Sequence, residues 1–249
     1  MSESPNTVYL ISGATRGIGF GLVTSLVARE NVIVFAGARD PSGVTSTALQ
    51  ALVKEHPGKL HFVQLASASE EDAGAAAARV REVAGHVDVV IANAGIAETF
   101  APAHEVPIDA VEHHFKVNAI GPLVLFQAFY VLLRAAPRGV PKFVVISSFV
   151  GSIEAGAALP LGLSAYGTSK AAINYLTRKI HFENERLVAF AVHPGTVATD
   201  AARLAGALDA VPHISVAESV RTVLARVDEA TREKNGGMFV TNEGERVPW

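Results

Sequence analysis

The chain has no cysteine among its 249 residues, which excludes disulfides, thiolate metal sites and a cysteine nucleophile. A chain without disulfides suits a reducing compartment, and a cytoplasmic location is expected. Charge is also scarce: Asp, Glu, Lys and Arg make up 18% of the residues, and the formal net charge is −3. That balance gives no electrostatic reason for a nucleic acid or an anionic membrane as partner, and neither is expected. No His/Glu spacing suggests zinc, and His113 and His114 are adjacent, so they cannot face one metal from a helix; no metal is expected. The start, Met1 to Thr7, is polar and lacks a basic-then-apolar leader. From Phe143 to Tyr166 only Glu154 is charged, but Gly151, Gly156, Pro160, Gly162 and several serines interrupt the run. In lipid those breaks would leave backbone polar groups unsatisfied, so the run reads as a buried strand entering a loop, and no transmembrane helix is expected.

What the chain does have is apolar residues, 49% of the total, enough for one large domain over residues 1–249 with a proper core. Val8–Ser12, Val32–Ala36, His61–Leu65, Val87–Ile91, Phe143–Ser147, Val188–Val192 and Met238–Val240 are strand candidates. Several are apolar throughout instead of alternating, as strands buried on both faces of a parallel sheet must be. Between them Gly17–Arg29, Thr45–His56, Glu70–Ala84, Val106–Ala135, Ala165–Asn184 and Val216–Glu233 are each long enough for a crossover helix. The alternation predicts an α/β fold, a doubly wound parallel sheet of about seven strands with helices on both faces, the Rossmann arrangement. No linker or internal repeat divides it, and the run Ala73–Ala78 reflects helix propensity.

The first strand ends in Ser12, Gly13, Ala14, Thr15, Arg16, Gly17, Ile18 and Gly19, with a helix directly after. Glycines there let a turn tighten and the backbone approach a pyrophosphate, which the helix N-terminus and its dipole then hold. A plain tight turn is the bland alternative, but the strand–turn–helix context favours a dinucleotide. At the end of the second strand an acid would grip a ribose 2′-hydroxyl, whereas arginine suits a 2′-phosphate. The sequence there is Ala36, Gly37, Ala38, Arg39 and Asp40: the strand-end position is uncharged, and Arg39 follows with Arg16 able to face the same phosphate. Asp40 stands at about the right distance for the opposite choice, yet Pro41 follows it and it reads as a turn residue. NADP(H) is therefore expected over NAD(H), with Arg39 as a mere surface charge the alternative.

Tyr166 and Lys170 are four apart at the start of a predicted helix and so share one face. A free tyrosine titrates near 10, and an adjacent ammonium is expected to lower it. Bringing it toward neutrality needs about 4 kcal/mol, within reach of a close charge in a partly dry site. Alone, the Tyr-x-x-x-Lys spacing is common and its bland reading is a surface pair.

Taken in order, the glycine turn, Asn93, Ala94 and Gly95 after the fourth strand, Asn118, Ser147 and Ser148 after the fifth, and the Tyr166/Lys170 pair resemble the short-chain dehydrogenase/reductase family over nearly the whole chain. Tyr166 would, on that resemblance, protonate a carbonyl oxygen as hydride arrives, while Lys170 would lower its pKa and hold the nicotinamide ribose. Ser148 would polarise the carbonyl, with Ser147 as the alternative and the Ser-x-x-Gly spacing favouring Ser148. Asn118 would position a water leading to Lys170. Asn93 and Gly95 would pack at the adenosine ribose, and Pro194, Gly195, Thr196, Val197 and Thr199 would hold the carboxamide. The implied activity is NADPH-dependent hydride transfer to a ketone or aldehyde, reversibly, and the implied assembly a homodimer or homotetramer through the long helices after strands four and five. Leu65, Ala66 and Ser67 stand where family members commonly carry an adenine-binding aspartate.

The segment between Ser148 and Tyr166 is longer than the common family pattern. Gly237 to Trp249, together with a short lid after Thr199, resemble fungal and bacterial carbonyl reductases related to aromatic-polyketide ketoreductases. Substrate loops are expected at about 149–165 and 198–214. Their small apolar residues, among them Ala155, Ala157, Leu159, Leu161, Ala201 and Leu204, predict a bulky apolar or aromatic ketone. A catalytically silent NADP-binding sensor or scaffold is the alternative, and the full set of four catalytic-type residues argues against it.

Other features are given structural readings. Gly162 to Tyr166 lacks the second glycine of a hydrolase elbow. His193 reads as a hydrogen-bonded strand-end histidine, Glu70, Glu71 and Asp72 as charges favoured by a helix N-terminus, and Phe126, Phe129 and Tyr130 as core or subunit contact. Trp249 reads as an anchor to the body or to a partner subunit.

Overall fold

The strand candidates fold as one sheet because nearly every one of their residues has an apolar layer to enter. In the computed structural model, which describes residues 6–137, 139–198 and 213–249, the strands are β1 (Thr7–Ser12), β2 (Val32–Ala38), β3 (Leu60–Gln64), β4 (Val89–Ala92), β5 (Lys142–Ile146), β6 (Val188–His193) and β7 (Phe239–Thr241). All are parallel, in the order β3-β2-β1-β4-β5-β6-β7, so the expected doubly wound sheet is the fold. The helices are α1 (Gly17–Val27), α2 (Thr47–Glu55), α3 (Glu70–Ala84), α4 (Ile108–Phe115), α5 (Gly121–Arg134), α6 (Ser164–Glu183) and α7 (Val216–Glu229).

Alternate strand residues enter opposite layers, as the two-residue period requires. Tyr9, Ile11, Val144 and Ile146 meet α1, α2 and α7 on one face; Val8, Leu10, Phe143 and Val145 meet α3, α5 and α6 on the other. Helix α3 keeps its expected bounds because both ends are signalled. Ser69 Oγ accepts from the Asp72 N–H at 3.1 Å, and Gly85 ends the helix at φ 75°.

The single helix expected over Val106–Ala135 is instead α4, a π-helical turn at Lys116–Ile120, and α5. Pro107 precedes the first turn, and Pro122 has no N–H to give the carbonyl of Asn118 four residues back, so the ladder shifts register there. The run Ile108–Arg134 is long and apolar enough to cross a membrane by length and composition. Yet 56% of its most apolar window is buried inside the protein, where Val124, Leu125, Phe129, Leu132 and Leu133 line the core.

The Phe143 ring is fully buried and meets Phe126 edge-on with centroids 5.2 Å apart. Phe143→Ala should cost about 3–5 kcal/mol in urea unfolding, the range for emptying an aromatic core site. A loss below about 1 kcal/mol would mean that this layer is not tightly packed.

Candidate active site

The order of the sheet reverses between β1 and β4, and the crevice outside their C-terminal ends is where the glycine turn lies. Gly13 has φ 68°, and a Cβ on it would come within 2.8 Å of the Ala94 Cα; one on Gly19 would fall against the Gly13 carbonyl. Arg16 is the N-cap of α1 in extended conformation, its side chain does not cap, and the first turn holds no acid. The N-terminal amides and dipole of α1 are thus left for an outside anion. Thr15 and Gly17 lie partly buried in the turn, and Ile18 packs onto the core beneath it. This cradle fits a dinucleotide pyrophosphate.

Asn93 was expected to pack at a ribose. Both of its side-chain amide protons go to the turn, to the carbonyls of Ser12 at 3.0 Å and Gly13 at 3.1 Å, and Ser12 Oγ accepts from the Asn93 and Ala94 amides. Asn93 therefore braces the cradle, with no donor left for a ligand. Gly95 lies deeper, where a Cβ would stand 3.1 Å from Asn118 Oδ1 and 3.5 Å from Lys170 Nζ.

At the end of β2, Ala38 is buried while Arg39 and Asp40 are exposed. Asp40 Oδ1 accepts from the Ser42 N–H at 2.9 Å, the Ser42 hydroxyl at 2.8 Å and the Gly43 N–H at 3.0 Å. The Ser42 bonds hold its carboxyl below the usual range, and it is a turn residue as read. Past β3, Asp72 lies in the first turn of α3. Its Oδ2 also accepts from the Ala66 N–H at 2.9 Å, securing the loop that lacks the family aspartate.

The catalytic-type residues converge where β5 meets α6. Lys170 is 5% exposed; its Nζ donates to the Ile146 carbonyl at 2.8 Å and stands 5.6 Å from the centre of the Tyr166 ring. Burial pushes its pKa down to about 8. Tyr166 is raised by burial, against which a hydrogen bond from Ser148 acts to lower it. The expected lowering by Lys170 is not found, because desolvation outweighs the hydrogen bond from Ser148. Ser148 is the serine that reaches Tyr166, whereas Ser147 is buried with its hydroxyl donating to Asn174 Oδ1 at 2.6 Å.

Asn118 sits in the π-helical turn, 1% exposed. Its Oδ1 accepts from the Ile96 N–H at 2.8 Å, and its Nδ2 donates to the Ile96 carbonyl at 2.9 Å and to Ser169 Oγ at 3.0 Å. Its side-chain donors are thus committed, while its main-chain carbonyl faces Pro122, which has no helix donor to give.

After β6, the Pro194 carbonyl accepts from Ser219 Oγ at 2.7 Å, Gly195 has φ 84°, and Val197 bridges to Ile214. Thr199 and most of the second substrate loop lie outside the described residues. The first loop bridges from Leu163 to Ala101 and, with Ala103, Ile153, Ala157, Leu159 and Leu161, walls an apolar cavity of about 330 Å³ against α6.

Residues 7–207 match the family model described as short chain dehydrogenase. The chain is 42% identical to the norsolorinic acid ketoreductase of Dothistroma septosporum over 99% of its own length and 94% of that protein. It is also 42% identical to the norsolorinic acid ketoreductase of Aspergillus parasiticus, over 98% and 91%. Among solved structures, an NADPH-bound carbonyl reductase from chicken fatty liver superposes with a TM-score of 0.88 at 32% identity, covering 99% of this chain and 100% of that one.

Proposed function

The chain belongs to the short chain dehydrogenase family, a family of nicotinamide-dependent oxidoreductases acting between carbonyl and alcohol, and from that premise we propose that it is an NADPH-dependent reductase of bulky apolar or aryl ketones. The observation that carries the proposal is the meeting of Ser148, Tyr166 and Lys170 at the C-terminal end of β5, with Gly95 beside both Asn118 and Lys170.

When bound, the nicotinamide cofactor supplies hydride. Tyr166 acts as general acid: its raised pKa keeps the phenol protonated at neutral pH, the form that can give a proton to a carbonyl oxygen. Ser148 turns its hydroxyl toward that same oxygen and stabilises the charge growing there. Lys170 faces the phenolate as it forms, and Asn118 would position a water through which a proton from solvent passes to Lys170 and so restores the phenol. Tyr166→Phe deletes one donor and little volume, so NADPH binding should persist while turnover falls by more than about a hundredfold. Turnover within about tenfold of wild type would assign the proton to another group.

The cofactor choice is supported by the turn role of Asp40, which removes the one acid near the end of β2, and by exposed Arg39 and Arg16. The NADPH in the avian carbonyl reductase structure leans the same way. Catalytic efficiency should be higher with NADPH than with NADH, and Arg39→Ala should shrink the preference by one to two orders of magnitude, the worth of a charge-assisted contact of about 1.5–3 kcal/mol. Equal efficiency with both cofactors in the wild-type protein would overturn this part.

The ketone class is supported by the apolar first loop and by the relatives named norsolorinic acid ketoreductases. Assembly as a homodimer or homotetramer is part of the same proposal, supported by the exposed apolar side chains Val131 on α5 and Tyr175 and Phe182 on α6. In competition, aryl or polycyclic ketones should be consumed ahead of pyruvate, since apolar substrate area is rewarded at about 25 cal/mol per Å². A preference for pyruvate in catalytic efficiency would refute the apolar site.

A further inference from the structure

Ser148 lies on a short loop, where a hydroxyl has no helix or strand of its own to fix it. Three side-chain hydrogen bonds hold that loop. On its N-terminal side, Ser147 Oγ donates to Asn174 Oδ1 at 2.6 Å; on its C-terminal side, Asn174 Nδ2 donates to the Gly151 carbonyl at 3.2 Å. From β6, His193 Nδ1 accepts the N–H of Phe149, the residue directly after Ser148, at 3.2 Å. Asn174 is 2% exposed and is one helical turn beyond Lys170 on α6. The loop presses so closely on that helix that a Cβ on Gly151 would come within 2.7 Å of the Lys170 Cβ.

We propose that Asn174 and His193 are positioning residues for Ser148, gripping its loop from α6 and from β6 so that the hydroxyl stays in register with Tyr166. A buried asparagine in mid-helix forgoes packing unless its amide is used, and here both ends of the amide are used on the two flanks of one serine. Because α6 carries Tyr166 and Lys170 as well, a single rigid helix sets the distance between the proton donor and the serine. His193 supplies the second axis: accepting from Phe149 requires Nδ1 to be unprotonated, and the burial that holds its pKa down to about 4 keeps it so at neutral pH. A misplacement of about 1 Å in such a group can cost about a hundredfold in rate without touching the cofactor cradle.

The inference rests on the proposed role of Ser148, so the test carries Ser148→Ala beside the positioning variants, assayed with NADPH and an aryl ketone. Asn174→Leu and His193→Leu should each lower kcat at least about tenfold while the Kd for NADPH stays within about twofold. Ser147→Ala, which removes one contact with little volume, should lower kcat in the same direction and covers the case in which Asn174→Leu fails to fold. His193→Asn places an amide oxygen where Nδ1 was and should recover most of the kcat lost in His193→Leu. Failure of that rescue, or a loss that appears equally in NADPH binding, would overturn the proposal by marking the residues as general supports. An inactive Ser148→Ala beside fully active Asn174→Leu, Ser147→Ala and His193→Leu would overturn it alone; a fully active Ser148→Ala would overturn the role of Ser148 and the inference with it.

Discussion

The contact of Lys170 Nζ with the carbonyl of Ile146, 2.8 Å long and buried, is the constraint on which the rest of the site depends. Ile146 is the last residue of β5, so its carbonyl has reached the end of the ladder and needs a donor from elsewhere. Lys170 supplies it, and in doing so fixes α6 in height and rotation against the sheet. Tyr166, one turn earlier, and Asn174, one turn later, are then placed without further choice. The helix is thus held to the sheet by the same side chain that faces the phenol.

The other half of the site is fixed by topology. In a parallel sheet every strand delivers its loop to the same edge, and the reversal between β1 and β4 leaves the crevice there open to a ligand. Asn93 joins the two strands across that crevice with both amide protons on the glycine turn. Asn118 does the equivalent work one layer away, clamping both polar groups of Ile96 and linking them to Ser169 on α6. Polar side chains near the crevice are therefore mostly engaged with backbone, as low local dielectric demands. Among the described residues the groups left for chemistry are few: the hydroxyls of Ser148 and Tyr166, the ammonium of Lys170 and the amides that open α1.

Much of this was legible in the sequence because the signals were strong and local. Unbroken apolar runs such as Val188–Val192 could only be strands covered on both faces, and the order of glycine turn, Asn118, Ser148, Tyr166 and Lys170 located the site. What escaped was what depends on contacts across the fold. Pro122 stood in plain view, but its displacement of the helix ladder at Asn118 required knowing that the helix continued through it. That Asn93 braces the glycine turn is invisible until β1 and β4 lie side by side. Asn174 carries no motif at all, since a lone mid-helix asparagine looks like any exposed polar residue until Ser147 and Gly151 are seen on either side.

The sign of the Tyr166 shift is the most instructive of these differences, because spacing conveys proximity but not desolvation. Placing an ammonium four residues away suggests a phenolate stabilised at rest, yet burial acts on both partners and favours the neutral form of each. The two shifts differ in consequence. A phenol raised from about 10 remains protonated throughout the neutral range. A lysine that titrates at about 8 is still largely ammonium at pH 7. The resting pair is therefore a neutral acid beside a cation, and their attraction is small. On the proposed mechanism, as the proton leaves Tyr166 the phenolate develops within reach of that cation in a poorly solvated place, and the attraction grows with the charge. An interaction that is weak before proton transfer and strong during it lowers the barrier instead of deepening the ground state. Burial, which at first sight opposes the tyrosine, is thus what makes the lysine effective.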